Sequence, residues 1–246
     1  MKILKNVFEL NKAVKNYKNV GFVPTMGGIH KGHESLIKIS QKNNKETIVS
    51  IFVNPTQFNQ KKDFKNYPRN IKKDISILKK LKVNYLFLPE VNEIYKNKMK
   101  NFKLNKSDKI LCAKYRKGHF EGVLNVMNRL LSIVKSKHVY MGEKDFQQYM
   151  LIKRILGKKY KINIVGCPTI RENNKIALST RNKLLNKSYI KKASKIAIFD
   201  AFFMYDLFNN LFLVDKAILL FSRMVGQPTI FILYFLPNIL LINMYC

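Results

Sequence analysis

A short apolar run, Val20 to Val23, stops at Pro24-Thr25-Met26-Gly27-Gly28-Ile29-His30-Lys31-Gly32-His33, and a helical pattern opens directly after it. The run reads as a buried strand, the adjacent glycines permit a tight turn, and His33 to Asn43 can open a helix. Strand, loop and helix in this order constrain the chain more than any other stretch. The start of the helix offers unpaired backbone N–H groups and the positive end of its dipole, so an anion can sit there beside two imidazoles. A nucleotide phosphate is the natural occupant. A bare His-x-x-His, taken without its context, reads more readily as a surface loop that has no chemistry.

The alternation continues down the chain. Met1 to Lys18 reads as a short strand and a helix with Val7, Leu10 and Val14 at helical spacing, and Leu36, Ile37 and Ser40 carry the next helix to about Asn43. Thr47 to Val53 is a β-branched run fit for a central parallel strand, Ile71, Ile75, Leu78 and Leu81 mark one helical face, and Val83 to Leu88 supplies another strand. Val123, Val126, Met127, Leu130 and Val134 form an amphipathic helix, followed by a strand at His138 to Met141, a helix at Asp145 to Leu156 and a strand at Ile162 to Val165. This spacing predicts an α/β fold, a doubly wound parallel sheet whose ligands gather at the carboxyl ends of the strands. No internal repeat or low-complexity linker is present, so the main domain is expected to reach about Ile170.

With 246 residues and 47% apolar content the chain can bury a core, which excludes a disordered protein. Its net charge of +31 would ordinarily point to nucleic acid or an anionic membrane surface. Lysine, asparagine and isoleucine are spread almost everywhere, however, without an arginine-rich helix or a dense basic tract, so no nucleic-acid partner is expected. Cys112, Cys167 and Cys246 are widely spaced and odd in number, which fits a reduced, cytoplasmic setting without a cysteine metal site or redox pair. Met1 to Leu10 lacks the continuous apolar core of a secretion signal, and no export is expected.

Several loops together carry a resemblance. Pro24 to His33 has the form P-T-M-G-x-x-H-x-G-H; Ser50 to Phe58 reads SIFVNPTQF and is followed by Asn66-Tyr67-Pro68-Arg69; Met141 to Gln148 reads MGEKDFQQ; Ile176 to Asn182 reads IALSTRN. These strings resemble those of the pantothenate synthetase (pantoate–beta-alanine ligase) family, within the HxGH nucleotidylyltransferase superfamily. Lys117 to Val123, KGHFEGV, is similar to a further family motif, with Lys117 where proline is usual. Thr180 stands where the family has a second serine, and Asn174-Lys175 replace its Asp-Gly, which removes a turn glycine.

The resemblance implies a Rossmann-like enzyme that condenses (R)-pantoate with beta-alanine through a pantoyl adenylate, using ATP and Mg2+ and working as a homodimer. On the matching positions it implies that ATP meets Pro24, Thr25, Met26, Gly27, His30, His33, Gly142, Lys144, Asp145, Ile170, Leu178, Ser179, Thr180 and Arg181. It places pantoate on Gln57, Gln148 and Met26, and gives catalytic roles to His33, His30, Lys144 and Arg181, each cationic or hydrogen-bond-donating. Asp74 matches a family aspartate near the magnesium, although read alone it is an exposed helix carboxylate.

Other readings stay open. Gln57 could be the exposed side chain of an Asn-Pro turn, and His119 a core or capping histidine with Arg116 as a nearby anion contact. Asp145 and Gln148 could be an N-cap and its capping-box partner. The alternative enzyme is another HxGH nucleotidylyltransferase acting on a phosphopantetheine or nicotinate mononucleotide, against which Gln57 and Gln148 argue. A truncated homologue with impaired activity is the other enzyme reading, and the alternative class is a basic RNA-binding protein derived from an enzyme.

The resemblance runs to about Ala197, and Lys191 to Ile196 still looks like the first helix of the family's small lid domain. The expected division is therefore a domain at 1–170 that binds ATP and pantoate, a nucleotide-binding loop and helix at 171–198, and a divergent hydrophobic tail at 199–246. The tail sets Lys216 and Arg223 against Asp200, Asp206 and Asp215, a balance unlike the rest of the chain. Ile230 to Cys246 is uncharged and interrupted by Pro237-Asn238, and falls short of the roughly 20 residues a spanning helix needs, whereas the stretch from Met224 is long enough. A packed small domain, a membrane anchor and a frame-altered end are the three readings of it.

Overall fold

Neighbouring residues of a strand point to opposite sides of a sheet, so a strand covered on both faces is apolar throughout. In the computed structural model, which describes residues 1–58, 61–194, 231–235 and 240–244, such runs form a layered α/β core. β1 (Lys2–Leu4), α1 (Val7–Ala13), β2 (Val20–Thr25), α2 (Lys31–Asn43) and β3 (Glu46–Ile51) come first. They are followed by α3 (Lys61–Asn66), α4 (Ile71–Lys80), β4 (Tyr85–Phe87), α5 (Val91–Tyr95), α6 (Cys112–Tyr115) and α7 (His119–Ile133). β5 (His138–Gly142), α8 (Phe146–Ile152), α9 (Lys158–Tyr160) and β6 (Asn163–Cys167) complete the sheet and its cover.

The six strands are all parallel, in the order β1-β4-β3-β2-β5-β6. Phe22, Ile48, Phe87 and Val139 enter one apolar cluster with Leu10 of α1, Leu124 of α7 and Ile152 of α8. Their strand neighbours Val23, Val49, Leu86 and Tyr140 enter the other, with Ile37 of α2 and Leu78 of α4. Each such side chain contributes about 1.5–3 kcal/mol on burial, so both faces are anchored. This is the doubly wound sheet that the alternation of elements predicts. The chain runs outward from β2 to β3 and β4, then returns to β5 on the other side of β2, and the reversal leaves a crevice at the carboxyl ends of β2 and β5.

Several boundaries differ from expectation. α2 begins at Lys31 because His30 already caps it, and β3 stops at Ile51 because Asn54 caps a short 3-10 helix, Pro55–Gln57. The single helix expected over Asp145 to Leu156 is composite: a 3-10 turn at Glu143–Asp145, α8, a π-helical stretch at Lys153–Gly157, then α9. Asp74 is only 2% exposed, which corrects the solvated carboxylate expected on α4.

Residues 187–194 are helical, where the first lid helix is expected, and most of the tail after them lies outside the described residues. Phe231–Phe235 (β7) and Leu240–Met244 (β8) pair antiparallel, with Phe231 opposite Met244. Strands thus occupy part of the stretch considered for a membrane helix; Met224 to Ile230 and Pro237-Asn238 lie outside the described residues. Among the described residues no helix is long and apolar enough to cross a membrane.

Candidate active site

The turn after β2 places Gly27 and Gly28 at φ +81° and +63°, a backbone region that side chains disfavour. It is held from below. The Asp74 carboxylate, reaching up from α4, accepts the N–H groups of Gly28 and Ile29 at 2.8 Å each, one on each oxygen. Thr25 Oγ1 accepts from Gly27 N–H at 3.2 Å and donates to the Ser50 carbonyl at 2.7 Å, tying the turn to β3.

The two histidines then cap α2 themselves. His30 Nδ1 accepts from Gly32 N–H at 3.1 Å, and His33 Nδ1 accepts from His30 N–H at 3.4 Å, forming the reciprocal cap usually made by a hydroxyl and a glutamate. A ring nitrogen that accepts carries no proton, so in each neutral imidazole the proton is assigned to Nε2. Desolvation, then Lys144, lowers His30 to about 4. Desolvation, then His30 and Lys144, lowers His33 to about 3. Both rings are neutral donors at pH 7, which narrows the sequence expectation of cationic or donating groups.

Across the crevice, Lys144 follows β5 and pairs with Asp145 at 3.4 Å. Asp145 precedes α8 but makes no side-chain capping bond, so the capping box with Gln148 does not form. On the other flank Asn54 Nδ2 donates to Gln57 Oε1 at 3.2 Å, while Gln57 Nε2 reaches Met26 Sδ at 2.8 Å. Gln57 therefore turns inward, unlike the exposed turn residue considered from sequence. His119 is 7% exposed and its Nδ1 lies 2.7 Å from the Gln57 carbonyl, which can only accept, so here the proton sits on Nδ1. Burial, then Arg116, pushes His119 down to about 3. It is a buried histidine that fixes the backbone of Gln57.

The segment after β6 folds back as a hairpin. Leu178 N–H donates to the Ile170 carbonyl at 2.9 Å and Glu172 N–H to the Ile176 carbonyl at 2.8 Å. Its turn holds Lys175 at φ +69°, so the turn survives the loss of the family's glycine, with a lysine in left-handed backbone. Ser179 then caps a 3-10 helix, Thr180–Leu184, by accepting from Arg181 N–H at 3.3 Å. Thr180 Oγ1 donates to the Gly28 carbonyl at 3.2 Å.

These parts converge on one cavity of about 220 Å³. The first turn contributes Pro24, Thr25, Met26, His30 and His33, the turn after β3 contributes Gln57, and the turn after β5 contributes Gly142, Lys144, Asp145 and Gln148. Ile170, Leu178, Ser179, Thr180 and Arg181 close it from the hairpin side. Gly27 and Asp74 are not on its wall and act through the turn they shape. A side recess joins Met26, Gln57 and Gln148 to Arg116, His119 and Arg181.

Some wall residues carry no motif. Val123, Val126, Met127 and Leu130 of α7 form an apolar floor with Phe52; their spacing identifies a buried face but not whether sheet or ligand covers it. Thr169 also lines the cavity, and its Oγ1 is buried without a hydrogen-bond partner. Among the described residues, no group of three or more His, Cys, Asp or Glu side chains could hold a metal ion. Burial pushes the Cys112 and Cys167 thiols up to about 12 and about 11, so neither is a nucleophile at neutral pH.

A crevice at the reversal point of a parallel sheet, with a helix N-terminus and two Nε2–H donors facing a lysine, defines a nucleotide-binding α/β protein of the HxGH nucleotidylyltransferase type. The chain belongs to the family described as Pantoate-beta-alanine ligase, which it matches over residues 2–200. It is 40% identical to the pantothenate synthetase of Thermosipho africanus over 202 residues, 80% of this chain and 73% of that protein. It is 43% identical to that of a Sulfurihydrogenibium species over 196 residues, 78% of this chain and 70% of that protein.

Solved structures agree. The pantoate-beta-alanine ligase of Francisella tularensis, complexed with beta-gamma ATP and beta-alanine, superposes with a TM-score of 0.75 at 43% identity over 80% of this chain and 78% of that one. The pantothenate synthetase of Thermus thermophilus gives a TM-score of 0.81 at 31% identity over 98% of this chain and 91% of that one.

Proposed function

We propose that this chain condenses (R)-pantoate with beta-alanine to (R)-pantothenate, converting ATP to AMP and diphosphate through a pantoyl adenylate. The observation that carries the reading is the meeting, on one cavity wall, of the two histidines, Lys144 and Arg181 with the paired amides of Gln57 and Gln148. The pantoate carboxylate attacks the α-phosphate and diphosphate leaves; the amine of beta-alanine then attacks the acyl carbon and AMP leaves. No covalent bond to the enzyme is required.

Each residue has a physical task in that sequence. His30 and His33 donate Nε2–H to phosphate oxygens without adding charge, while Lys144 and Arg181 supply the charge. The turn residues Pro24 to Gly27, with Gly142, Asp145, Ile170, Leu178, Ser179 and Thr180, shape the remaining nucleotide contacts. Donors fixed before the reaction contribute about 3 kcal/mol each, roughly a hundredfold in rate. Gln57 and Gln148 both donate and accept, which suits a hydroxy acid, and the floor of Val123, Val126 and Met127 suits its dimethyl carbon, with Met26 between the two. Both Asp74 oxygens are engaged by backbone N–H groups, so Asp74 does not fit a resident magnesium, and the ion is taken here as part of the ATP substrate.

Ile176 and Ala177 form a small separate cluster with Leu185, Ile190 and Ala193, which supports dividing the chain near residue 170 into a substrate-binding domain and a closing segment. The tail at 199–246 is read as a divergent replacement for the lid. A cytoplasmic homodimer is the expected setting. The test is AMP formation by the purified full-length chain that requires both pantoate and beta-alanine. AMP transfer to a phosphopantetheine or nicotinate mononucleotide instead would replace the acceptor. Salt-sensitive RNA retention without ATP-dependent exchange on pantoate would replace the class.

A further inference from the structure

One contact in the cleft joins the nucleotide loop to a helix that no motif singles out. Arg181 Nη2 meets Asp63 Oδ2 of α3 at 3.1 Å, and the two side chains are only 14% and 26% exposed. The Tyr67 ring lies against the guanidinium, 5.2 Å from ring centre to Arg181 Cζ, and its hydroxyl shares a hydrogen bond with Thr180. Arg181 Nε is buried without a hydrogen-bond partner, while the side chain lines the cavity. One edge of the guanidinium is thus tied back, its face is supported, and a donor remains for a ligand.

We propose that Asp63 is a positioning residue for Arg181, and that α3 with Tyr67 forms a clasp that presets residues 179–181 for an anionic ligand. An unrestrained arginine loses rotamer freedom when it engages a ligand, and fixing it beforehand removes that loss. Asp63 also follows closely on the turn that carries Gln57, so one stretch of chain ties the acid side of the cavity to the nucleotide side. The inference deepens the proposed adenylation and rests on it for the acid substrate, but it concerns ATP binding directly.

The experiment compares full-length wild type, Asp63→Asn, Asp63→Glu, Arg181→Gln and the Asp63→Asn/Arg181→Gln double variant. ATP affinity is read by titration calorimetry, and kcat and KM by diphosphate release with pantoate. Asp63→Asn is expected to weaken ATP binding and lower kcat by about tenfold, Asp63→Glu to recover most of both, and Asp63→Asn to add nothing in the Arg181→Gln background. Unchanged ATP affinity and kcat in Asp63→Asn, or losses that add in the double variant, overturn the clasp. Should Asp63→Asn fail to fold, Tyr67→Phe carries the test, with weaker ATP binding expected and undiminished binding overturning the proposal. A wild type that binds ATP yet releases no diphosphate with pantoate sinks the proposed acceptor alone, because the affinity arm still decides the role of Asp63.

Discussion

The two turns that close on the cavity are built by opposite means. Gly27 to His33 is shaped by glycines in left-handed backbone, by two rings that cap the helix they precede, and by the buried Asp74 carboxylate that takes two of its N–H groups. Ser179 to Arg181 is held from far along the chain, by Asp63 at a separation of 118 residues and by Gly28 at 152. The first turn is stiff by construction, because its anchors are backbone groups and a buried carboxylate. The second rests on a partly shielded ion pair and hydroxyl contacts, each of modest strength, so it is the half of the site that opens at least cost.

The hardest blow to that contrast falls on the stiff turn. His33→Ala removes a ligand donor and half of the cap, and should lower diphosphate release about a hundredfold while costing roughly 1 kcal/mol in urea unfolding. Release at the wild-type rate would take His33 out of the mechanism. Gly28→Ala strikes both turns at once, since a Cβ there would lie 2.3 Å from Thr180 Cγ2 at a φ of +63°. A loss of about 2–3 kcal/mol of stability is expected, read by the same unfolding assay.

Acidification sharpens the comparison next. His30, His33 and His119 are lowered to about 4, about 3 and about 3, so below pH 6.5 the unfolded chain binds protons that the native one refuses. Their stabilisation is complete above about pH 6.5 and drains away as pH falls toward these values, by up to about 1.4 kcal/mol per pH unit for a histidine that stays neutral. Unfolding midpoints at pH 7 and pH 5 measure it; a flat profile would mean that the rings already carry protons. The smallest effect belongs to the hairpin. Lys175→Gly should stabilise by about 0.5–1 kcal/mol, because glycine meets a φ of +69° without strain, and a thermal melt detects the gain.

The sheet was legible because its strands are short apolar runs broken by turn formers, and the alternation of Phe22 with Val23 or Ile48 with Val49 serves both faces. The histidine turn, Gln57, Lys144 and Gln148 were legible because each lies in a contiguous string. Asp63 was not, and Asp74 was reached only through the resemblance, for a task other than holding the glycine turn. Periodicity tells which side of a helix a residue occupies, never what lies across from it, and Asp74 reads as solvated until the glycine turn is laid over α4. The π-helical stretch and the opposed tautomers of His119 and the capping pair also depend on partners that only the tertiary fold supplies.

The imidazoles that begin α2 spend their Nδ1 lone pairs on the chain itself. An inhibitor that demanded a protonated ring, or a flipped one, would have to unwind the first coil of that helix before it could bind. Compounds that present bare oxygen acceptors to both Nε2–H groups meet no such obstacle, and the cleft thereby filters its visitors by hydrogen-bond polarity ahead of size or charge.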